Sequence, residues 1–510
     1  MVAFFVVRAC IGLSLAFSDG AGSVREPWAA RTDGAVISAG VARGPVVSVR
    51  FDPKTRVEGF SGRVFLAVSL DENSEPRLRM GDWFGGSVVF ATDAEGIAPN
   101  GIVEVDLSAV AAHPKQGLES LRGKRCSVQA VAKCNPDSPS AGDGPGDLYS
   151  EVGTLEFNDA GERVALALSS TVQARDFTES ERVKLVEIVS PSLSAFLGRE
   201  RKIRAGVVLP EGWQDDALAS YPTVYFITGF GGDHFGALGM ARGMPPEAGR
   251  VLLVVPDPSC GLGHSVFADS ANNGPWGRAL MEELIPEVER RFHGAGDGSR
   301  RYVTGISSGG WSSLWLQVTY PDSLSGVWSH CPDPVDFRDF QRIDLYAPGA
   351  NMYIDAAGAR RPLAREGDRV MLWYDDFVHQ ETVMGPGGQI HSFEAVFSPR
   401  GGGGRPRPLF DRVTGRVDAV TARSWERYDI RLLMERNWAT LGPKLVGKIH
   451  VYAGGSDTFY LDGAARLLGE SLRNLGSDAI VEIVPNMPHT MHGPGIDAMF
   501  RTIRERHPRP

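Results

Sequence analysis

Short runs rich in apolar and β-branched residues dominate the pattern up to about residue 175. They are separated by Gly, Pro, Asn and Asp, and this arrangement is typical of β-strands joined by turns. Clear examples are V-V-S-V-R-F at 46–51, R-V-F-L-A-V-S-L at 63–70, I-V-E-V-D-L at 102–107 and C-S-V-Q-A-V-A at 126–132. We therefore predict an all-β, sandwich-like domain over 45–175, with the turn-rich segment 135–149 as a surface loop.

From residue 183 to the end, strand-like runs alternate with helical patterns. This alternation predicts an α/β fold, a mostly parallel sheet covered by helices on both faces. Apolar residues at helical spacing predict helices over 461–472 and 496–503. Eight runs fit one sheet: V-K-L-V-E-I-V, I-R-A-G-V-V-L, T-V-Y-F-I-T, V-L-L-V-V-P, Y-V-T-G, G-V-W-S-H, K-I-H-V-Y-A and A-I-V-E-I-V.

A long insertion, 332–445, separates G-V-W-S-H from K-I-H-V-Y-A. Loops between such elements are usually only a few residues long, so the insertion must form a subdomain. At this point of the fold we expect it to lie over the mouth of the site, like a lid. The alternative for its aromatic residues is that most of them fill a core of the subdomain; they include Tyr346, Tyr353, Trp373, Tyr374, Phe377, Phe393 and Trp425.

Composition limits the possible partners. The chain has 510 residues, 42% hydrophobic and 23% charged, which are the proportions of a globular protein. The formal net charge of -9 and the lack of a dense Lys/Arg run argue against nucleic acid as a partner. The five cysteines form no C-x-x-C pair, so neither a zinc site nor a disulfide framework is expected.

The N-terminal segment 1–30 carries an apolar stretch that Arg8 interrupts. It is similar to a signal peptide, and a disordered terminus is the alternative. We therefore expect a secreted or periplasmic location rather than a cytoplasmic one. No later run reaches the length of a transmembrane span, so stable membrane insertion is not expected.

The strongest chemical signal is Y-V-T-G-I-S-S-G-G-W-S-S-L-W-L at 302–316. A strand-like run leads into G-x-S-x-G, with Ser307 at its centre, and a helical pattern follows, as in a nucleophile elbow. The helix N-terminus can stabilise negative charge through its N–H groups. We predict Ser307 as the nucleophile of a serine hydrolase. Ser308, one position past the elbow, is the competing candidate, and a purely structural turn is the alternative.

A serine nucleophile needs a base and an acid, and in this type of fold the acid precedes the histidine along the chain. Asp457 lies in the loop after K-I-H-V-Y-A, whereas the alternative, Asp462, falls within the next helical pattern. The last strand-like run is followed by P-N-M-P-H-T-M-H-G, which contains His489 and His492. We predict Asp457 as the acid and His489, nearer the strand end, as the base. His492 is then a helix cap or a substrate contact.

Two backbone N–H groups are needed to stabilise a tetrahedral intermediate. One is predicted to come from Ser308 and the other from Phe230, in the glycine-rich loop G-F-G-G-D-H after T-V-Y-F-I-T. A simple tight turn is the alternative for this loop. Gly229, Trp276 and Trp311 are further candidates for substrate contact, although large aromatic residues more often lie in a core.

Four more polar residues follow the strand after the elbow, where they could line the pocket. Their spacing does not form a convincing metal set, so no metal is expected. They are His330, Cys331, Asp333 and Asp336.

At these motifs the chain resembles the α/β-hydrolase esterase family that includes esterase D, enterochelin esterase, feruloyl esterases and the mycolyltransferase antigens. The resemblance covers roughly 190–506 and rests on G-I-S-S-G-G-W-S-S-L, P-D-S-L-S-G-V, C-P-D-P-V-D-F, G-G-S-D-T-F-Y-L and V-E-I-V-P-N-M-P-H-T. The serine, acid and histidine of the family fall on Ser307, Asp457 and His489. The chain departs from the family at 486–488 and in its long insertion.

The resemblance implies cleavage of a carboxylic ester through an acyl-enzyme, without a cofactor. Carbohydrate-linked, aryl and polyester substrates are all compatible with it, either as small molecules or linked to a polymer. Two alternatives stay open, a non-catalytic binding protein on a hydrolase scaffold and a serine peptidase. The oligomeric state is not predicted.

Overall fold

The structure is a computed structural model, and it describes residues 45–71, 74–157, 163–213, 220–243, 248 and 251–508. The predicted signal or disordered segment 1–30, with the location inferred from it, lies outside these residues. Four cysteines are described, and all four are free thiols: Cys126, Cys134, Cys260 and Cys331.

The N-terminal region is β-rich, as predicted. Its strands are β1 Val46–Phe51, β2 Phe60–Ser69, β3 Val88–Ile97, β4 Ile102–Asp106, β5 Ala111–His113, β6 Arg125–Ala132, β7 Leu148–Tyr149, β8 Gly153–Glu156, β9 Arg163–Leu168 and β10 Ser170–Thr171. They form a three-stranded sheet in the order β4-β1-β9 and a seven-stranded sheet in the order β10-β7-β6-β2-β3-β5, with β8 pairing β6.

The two sheets pack face to face because their strands alternate. Val49 of β1 and Leu66 of β2 both belong to the core between the sheets. The preceding residue of β2, Phe65, points the other way, into a smaller cluster with Val383 of the insertion. Since successive side chains of a strand point to opposite faces, β2 is buried on both. The outer face of the larger sheet therefore packs against the rest of the molecule.

The rest of the chain contains β11 Val183–Val189, β12 Lys202–Val208, β13 Thr223–Ile227, β14 Leu252–Pro256, β15 Ser259–Cys260, β16 Gly263–His264, β17 Asp269–Ser270, β18 Gly274–Pro275, β19 Arg301–Ile306, β20 Gly326–His330, β21 Pro362–Glu366, β22 Arg369–Trp373, β23 Ile449–Gly454 and β24 Ile480–Val484. Eight of them form the central sheet, in the order β11-β12-β14-β13-β19-β20-β23-β24. Seven of these strands run in the same direction, and β12 runs in the opposite direction between β11 and β14. These are the eight strands that the sequence predicts.

The helices are α1 Gly117–Leu121, α2 Pro191–Leu197, α3 Gly236–Gly243, α4 Trp276–Arg278, α5 Ile285–Phe292, α6 Ser308–Thr319, α7 Tyr374–Met384, α8 Gln389–Phe397, α9 Ala419–Ser424, α10 Ile430–Leu445, α11 Asp462–Asn474 and α12 Gly493–Arg506. Helices α6, α10 and α11 contribute to the core on one face of the central sheet, and α3 and α12 to the core on the other. Both faces are covered, which confirms the predicted fold class. Within the described residues, no helix has the length and apolar character needed to span a membrane.

The insertion between β20 and β23 shares the core of the central sheet instead of having a separate one. Tyr374, Trp425 and Phe393 are buried in the same cluster as Trp311 of α6. Most of its aromatic residues therefore act as core, and Phe377 and Phe393 also line a cavity.

The prediction that 135–149 is a surface loop is wrong at its buried positions, which include Ala141, Gly142 and Asp147. Asp147 is fully buried and accepts hydrogen bonds from the N–H groups of Cys134, Asn135 and Gly142 at 2.7, 2.9 and 2.9 Å. Ala141 is 6% exposed, and it lines the cavity. A buried carboxylate that accepts three backbone bonds holds the turn-rich segment folded inward.

Candidate active site

Ser307 occupies the turn between β19 and α6 in a strained conformation, with φ 59° and ψ -124°. The turn can be this tight because the residues at both of its ends are glycines, which have no side chains. A Cβ on Gly305 would lie 2.4 Å from the carbonyl oxygen of Gly309, and a Cβ on Gly309 would lie 2.0 Å from that of Ile227. The N–H of Ser307 faces the carbonyl oxygens of His330 and Cys331, each at 3.1 Å. The local sequence thus lifts one serine above the sheet at the start of a helix.

His489 and Asp457 are hydrogen-bonded to each other. Nδ1 of His489 lies 2.8 Å from Oδ2 of Asp457, whose side chain is fully buried. The other carboxylate oxygen accepts from the N–H groups of Phe459 at 2.8 Å and Leu461 at 3.4 Å. This set of bonds orients the carboxylate and places the Nδ1 proton of the imidazole on the side of Asp457, which leaves Nε2 to accept a proton.

The charges of this pair support each other. Burial alone would raise the pKa of Asp457, but the charge and hydrogen bond of His489 hold it below its usual value. Burial would lower the pKa of His489, but Asp457 and the Cys331 thiol raise it well above its usual value. The carboxylate therefore stays ionised and stabilises a positive charge on the imidazole.

Cys331 completes a compact cluster with these two residues. Its Sγ lies within 4.8 Å of a ring nitrogen of His489 and of a carboxylate oxygen of Asp457, and its thiol donates to the carbonyl oxygen of Thr490 at 3.3 Å. A thiol, an imidazole and a carboxylate are possible metal ligands. The carboxylate of Asp457, however, already accepts hydrogen bonds from His489 and from two backbone N–H groups, so its position is explained without an ion.

The hydroxyl of Ser307 donates to Asp333 Oδ1 at 3.3 Å, and the described residues include no hydrogen bond from it to His489. Asp333 is 4% exposed, and its other oxygen accepts from Ser308 Oγ at 2.5 Å and from Gln389 Nε2 at 3.3 Å. Burial raises the pKa of Asp333 to about 6. A second buried carboxyl thus holds the serine hydroxyl in this conformation.

The loop after β13 lies directly against the serine. A Cβ added to Gly229 would lie 3.3 Å from Cβ of Ser307, which is a tight contact, so the small glycine favours this close approach. Phe230 follows and lines the same cavity. The backbone of this loop and the first turn of α6 therefore flank Ser307 on two sides.

Several of these groups border one cavity of about 1010 Å³, at the upper end of the range for ligand pockets. Ser307, His489 and Asp333 line it together with a set of apolar and aromatic side chains: Trp83, Phe230, Leu363, Phe377, Ile390, Phe393 and Phe459. Charged residues also contribute to the lining: Arg77, Asp82, Asp143, Arg175, Asp233 and Arg242. The site combines a serine in a strained turn with a large pocket of mixed polarity.

The family model described as Putative esterase matches residues 194–473, which is more than half of the chain. The chain belongs to this esterase family. Membership makes it a carboxylic ester hydrolase with an α/β-hydrolase fold, as the sequence predicts.

Solved structures that match the chain include three esterases or hydrolases. The fluorophosphonate-binding serine hydrolase FphF of Staphylococcus aureus is 14% identical, with a TM-score of 0.40, over 64% of this chain and 97% of that protein. The S-formylglutathione hydrolase of Agrobacterium tumefaciens is 16% identical, with a TM-score of 0.39, over 64% and 95%. The ferulic acid esterase AmCE1/Fae1A of Anaeromyces mucronatus is 14% identical, with a TM-score of 0.31, over 64% and 92%. No curated protein sequence matches the chain.

Three residues that the sequence names as candidates for substrate contact in this esterase lie away from the cavity lining. Trp311 is 1% exposed and stacks on Trp315, and Trp276 is 2% exposed against Phe267. Their burial favours the core alternative. His492 stands at the N-cap of α12, without a side-chain capping bond, and its ring packs on Tyr452.

Other residues of the esterase site escape sequence reasoning. Phe459, two positions after Asp457, packs its ring edge-on against His489, with the centroids 5.0 Å apart. Its position in G-G-S-D-T-F-Y-L is the one local signal that could have suggested it. Trp83, Phe377 and Gln389 carry no such signal, because each enters the site only through packing between distant segments.

Proposed function

We propose that the esterase cleaves carboxylic esters through a Ser307–His489–Asp457 triad and an acyl-enzyme intermediate. The observation that carries the proposal is the 2.8 Å hydrogen bond between His489 and Asp457, at the cavity that also holds the strained Ser307. A nucleophile, a base and an orienting acid around one substrate cavity are the parts that this chemistry needs.

In the first half-reaction, Nε2 of His489 takes the proton of the Ser307 hydroxyl while Oγ attacks the ester carbonyl carbon. The oxyanion that forms is stabilised by the backbone N–H groups of Ser308 and Phe230. His489 then gives its proton to the oxygen of the leaving alcohol. The C–O bond breaks, the alcohol departs, and the acyl group stays on Ser307.

In the second half-reaction, His489 takes a proton from water and the hydroxide attacks the acyl carbonyl carbon. A second oxyanion forms in the same place. Its collapse releases the carboxylic acid, and His489 returns the proton to Ser307 Oγ. Every proton is returned, so the cycle needs no cofactor.

The bond from Ser307 to Asp333 describes a resting state that precedes this cycle. A turn of the Ser307 side chain must move Oγ from Asp333 towards Nε2 of His489. Protonation of Asp333 weakens its hold, because a neutral carboxyl accepts a hydrogen bond less strongly than a carboxylate.

The cavity favours an ester with both an apolar and a polar part. Its apolar and aromatic side chains suit an aryl or long acyl group, and the charged residues of its lining suit hydroxyl groups. Carbohydrate-linked, aryl and polyester substrates are the classes that we propose. In this proposal 45–175 and 183–510 are two domains, and 332–445 is a lid-like insertion.

A covalent probe tests the nucleophile without knowledge of the natural substrate. We expect a fluorophosphonate to label the wild-type chain once and to leave Ser307→Ala unlabelled, as measured by intact mass. Hydrolysis of p-nitrophenyl esters from acetate to octanoate should fall by at least about 10³-fold in kcat in the same variant, because the nucleophile is gone.

Ser313→Ala is the matched control. Its hydroxyl is buried in the same helix, donates to the carbonyl oxygen of Gly310 at 2.8 Å and does not line the cavity. This variant should label and turn over like the wild type. Labelling of Ser307→Ala at the wild-type rate, or full activity in that variant, would refute the proposed nucleophile.

A further inference from the structure

A cluster of four aromatic rings joins the N-terminal β-sandwich to the site. Trp83, in the turn between β2 and β3, stacks on Phe230, with centroids 5.9 Å apart and planes 18° apart. It also meets Phe377 at 5.1 Å and Phe459 at 5.7 Å, both edge-on. Phe459 in turn contacts the ring of His489. One residue of the N-terminal region therefore stands a single ring away from the proposed base.

The turn that carries Trp83 is fixed to the insertion by a partly buried hydrogen bond. Gln380 of α7, which is 5% exposed, donates from Nε2 to the carbonyl oxygen of Asp82 at 2.9 Å. Gly81 and Gly85 adopt positive φ of 79° and 75°, a conformation that side chains disfavour. The position of the Trp83 ring is thus determined by the fold on both sides of the domain boundary.

The contact around this turn is broad. Phe65 and Val131 of the seven-stranded sheet pack with Val383 of α7. Arg63 donates from Nη1 to the carbonyl oxygens of Thr382 and Val383, at 2.9 and 3.0 Å. The apolar contacts and the hydrogen bonds from Arg63 to the last turn of α7 together fix the position of the sheet relative to this helix.

The loop 135–149 approaches the insertion just as closely. Gly387 lies so near to Pro139 that a Cβ on the glycine would come within 2.0 Å of the carbonyl oxygen of Pro139. Lys133, next to this loop, donates from Nζ to the carbonyl oxygen of Pro386 at 3.3 Å. The N-terminal region is held against the site at two places.

We propose that the N-terminal β-sandwich is a wall of the active site, and that Trp83 makes the esterase select esters whose bound group is large and apolar. The proposal rests on the function proposed above. A tryptophan ring offers a wide apolar surface at a fixed place, and an acetyl group is too small to cover it. A large acyl or aryl group gains this contact, whereas a short one does not.

The test compares large and small esters in two series. The acyl group varies from p-nitrophenyl acetate to p-nitrophenyl benzoate and octanoate, and the alcohol varies from ethyl acetate to benzyl acetate, whose leaving groups are similar in basicity. The wild type should prefer the large member by at least about tenfold in kcat/KM in one series. Trp83→Ala should reduce this ratio by about tenfold, mainly through KM, while kcat/KM for the small member changes less than about threefold.

Trp83→Phe and Trp213→Ala complete the design. Trp83→Phe keeps an aromatic ring in place, so it should reduce the ratio of kcat/KM for large over small esters by only about threefold. This variant tests the proposal if Trp83→Ala does not fold. Trp213 packs on Phe292 and His293, does not line the cavity, and serves as the matched control with an unchanged ratio.

Two outcomes overturn the proposal: a wild type without preference for size in either series, or the same ratio in the Trp83 variants as in the wild type. Fluorophosphonate labelling is measured on the same samples. If Ser307 is labelled while the ratio stays the same, the selection by Trp83 fails and the proposed nucleophile stands. If Ser307→Ala is labelled like the wild type, the proposed function itself fails.

Discussion

Asp333 is a carboxyl group that the fold buries beside Ser307, and its replacement by asparagine should change how stability depends on pH. Burial raises the pKa of Asp333 to about 6, from an ordinary value of 3.8. One pKa unit corresponds to about 1.4 kcal/mol, so the difference is worth about 3 kcal/mol of folding free energy. The carboxyl group is 4% exposed, which leaves little solvent to screen this effect.

The sign follows from which state binds the proton more tightly. The folded chain holds the Asp333 proton up to about pH 6, whereas the unfolded chain loses it near pH 4. Stability therefore falls as the pH rises from about 4 to above 6, and about half of the 3 kcal/mol is lost above pH 5. Asp333→Asn removes this loss because the amide does not ionise. The asparagine has the same size as the aspartate. Its amide oxygen can accept from Ser308, and its amide nitrogen can donate to the Ser307 hydroxyl.

Denaturant unfolding at pH 5, 6 and 8, followed by tryptophan fluorescence, measures the effect. The free energy of unfolding of Asp333→Asn, relative to that of the wild type, should increase by about 1.4 kcal/mol between pH 5 and pH 8. Ionisable groups that do not interact with Asp333 cancel in this difference. A difference that stays constant within about 0.3 kcal/mol, or that decreases with pH, would refute the assignment of a raised pKa to Asp333.

Two further changes test the elbow and the acid. Gly309→Ala should cost at least about 3 kcal/mol of stability, because the new Cβ would lie 2.0 Å from the carbonyl oxygen of Ile227. Gly243→Ala is the control and should cost little, because its Cβ would meet nothing within 4 Å. Equal melting temperatures of the two variants would contradict this prediction. Asp457→Asn should lower kcat by about 10⁴-fold and move the acid limb of the kcat/KM profile to lower pH, because His489 loses the charge that raises its pKa; an unmoved limb would count against Asp457 as the acid.

The order of the elements and the identity of the fold were readable from the sequence because they depend on local pattern. Buried parallel strands are continuous apolar runs, so all eight strands of the central sheet could be located before their pairing was known. The elbow around Ser307 depends on small residues at fixed spacing, and the acid and histidine follow strands in the usual order. These features need only a few neighbouring residues to be recognised.

The surroundings of the nucleophile were decided by the tertiary structure. The sequence placed Asp333 and Cys331 after a strand, where they could line the pocket, but it does not indicate that one faces Ser307 and the other His489. The direction of each side chain depends on the turn after β20, where Cys331 adopts a positive φ of 39°. Such a turn reverses side-chain directions without leaving a pattern in the sequence.

The N-terminal region shows the same limit on a larger scale. Its strands were predictable from alternation, but alternation does not show what packs on the outer face of a sheet. The sequence predicted a β-sandwich-like domain with a surface loop at 135–149, but it did not predict that this loop and Trp83 pack against the insertion. Trp83 and Phe377 are almost three hundred positions apart and meet edge-on at 5.1 Å. Contacts at that separation arise from the packing of whole elements, so the sequence alone determined the parts of this esterase and the tertiary structure determined the shape of its pocket.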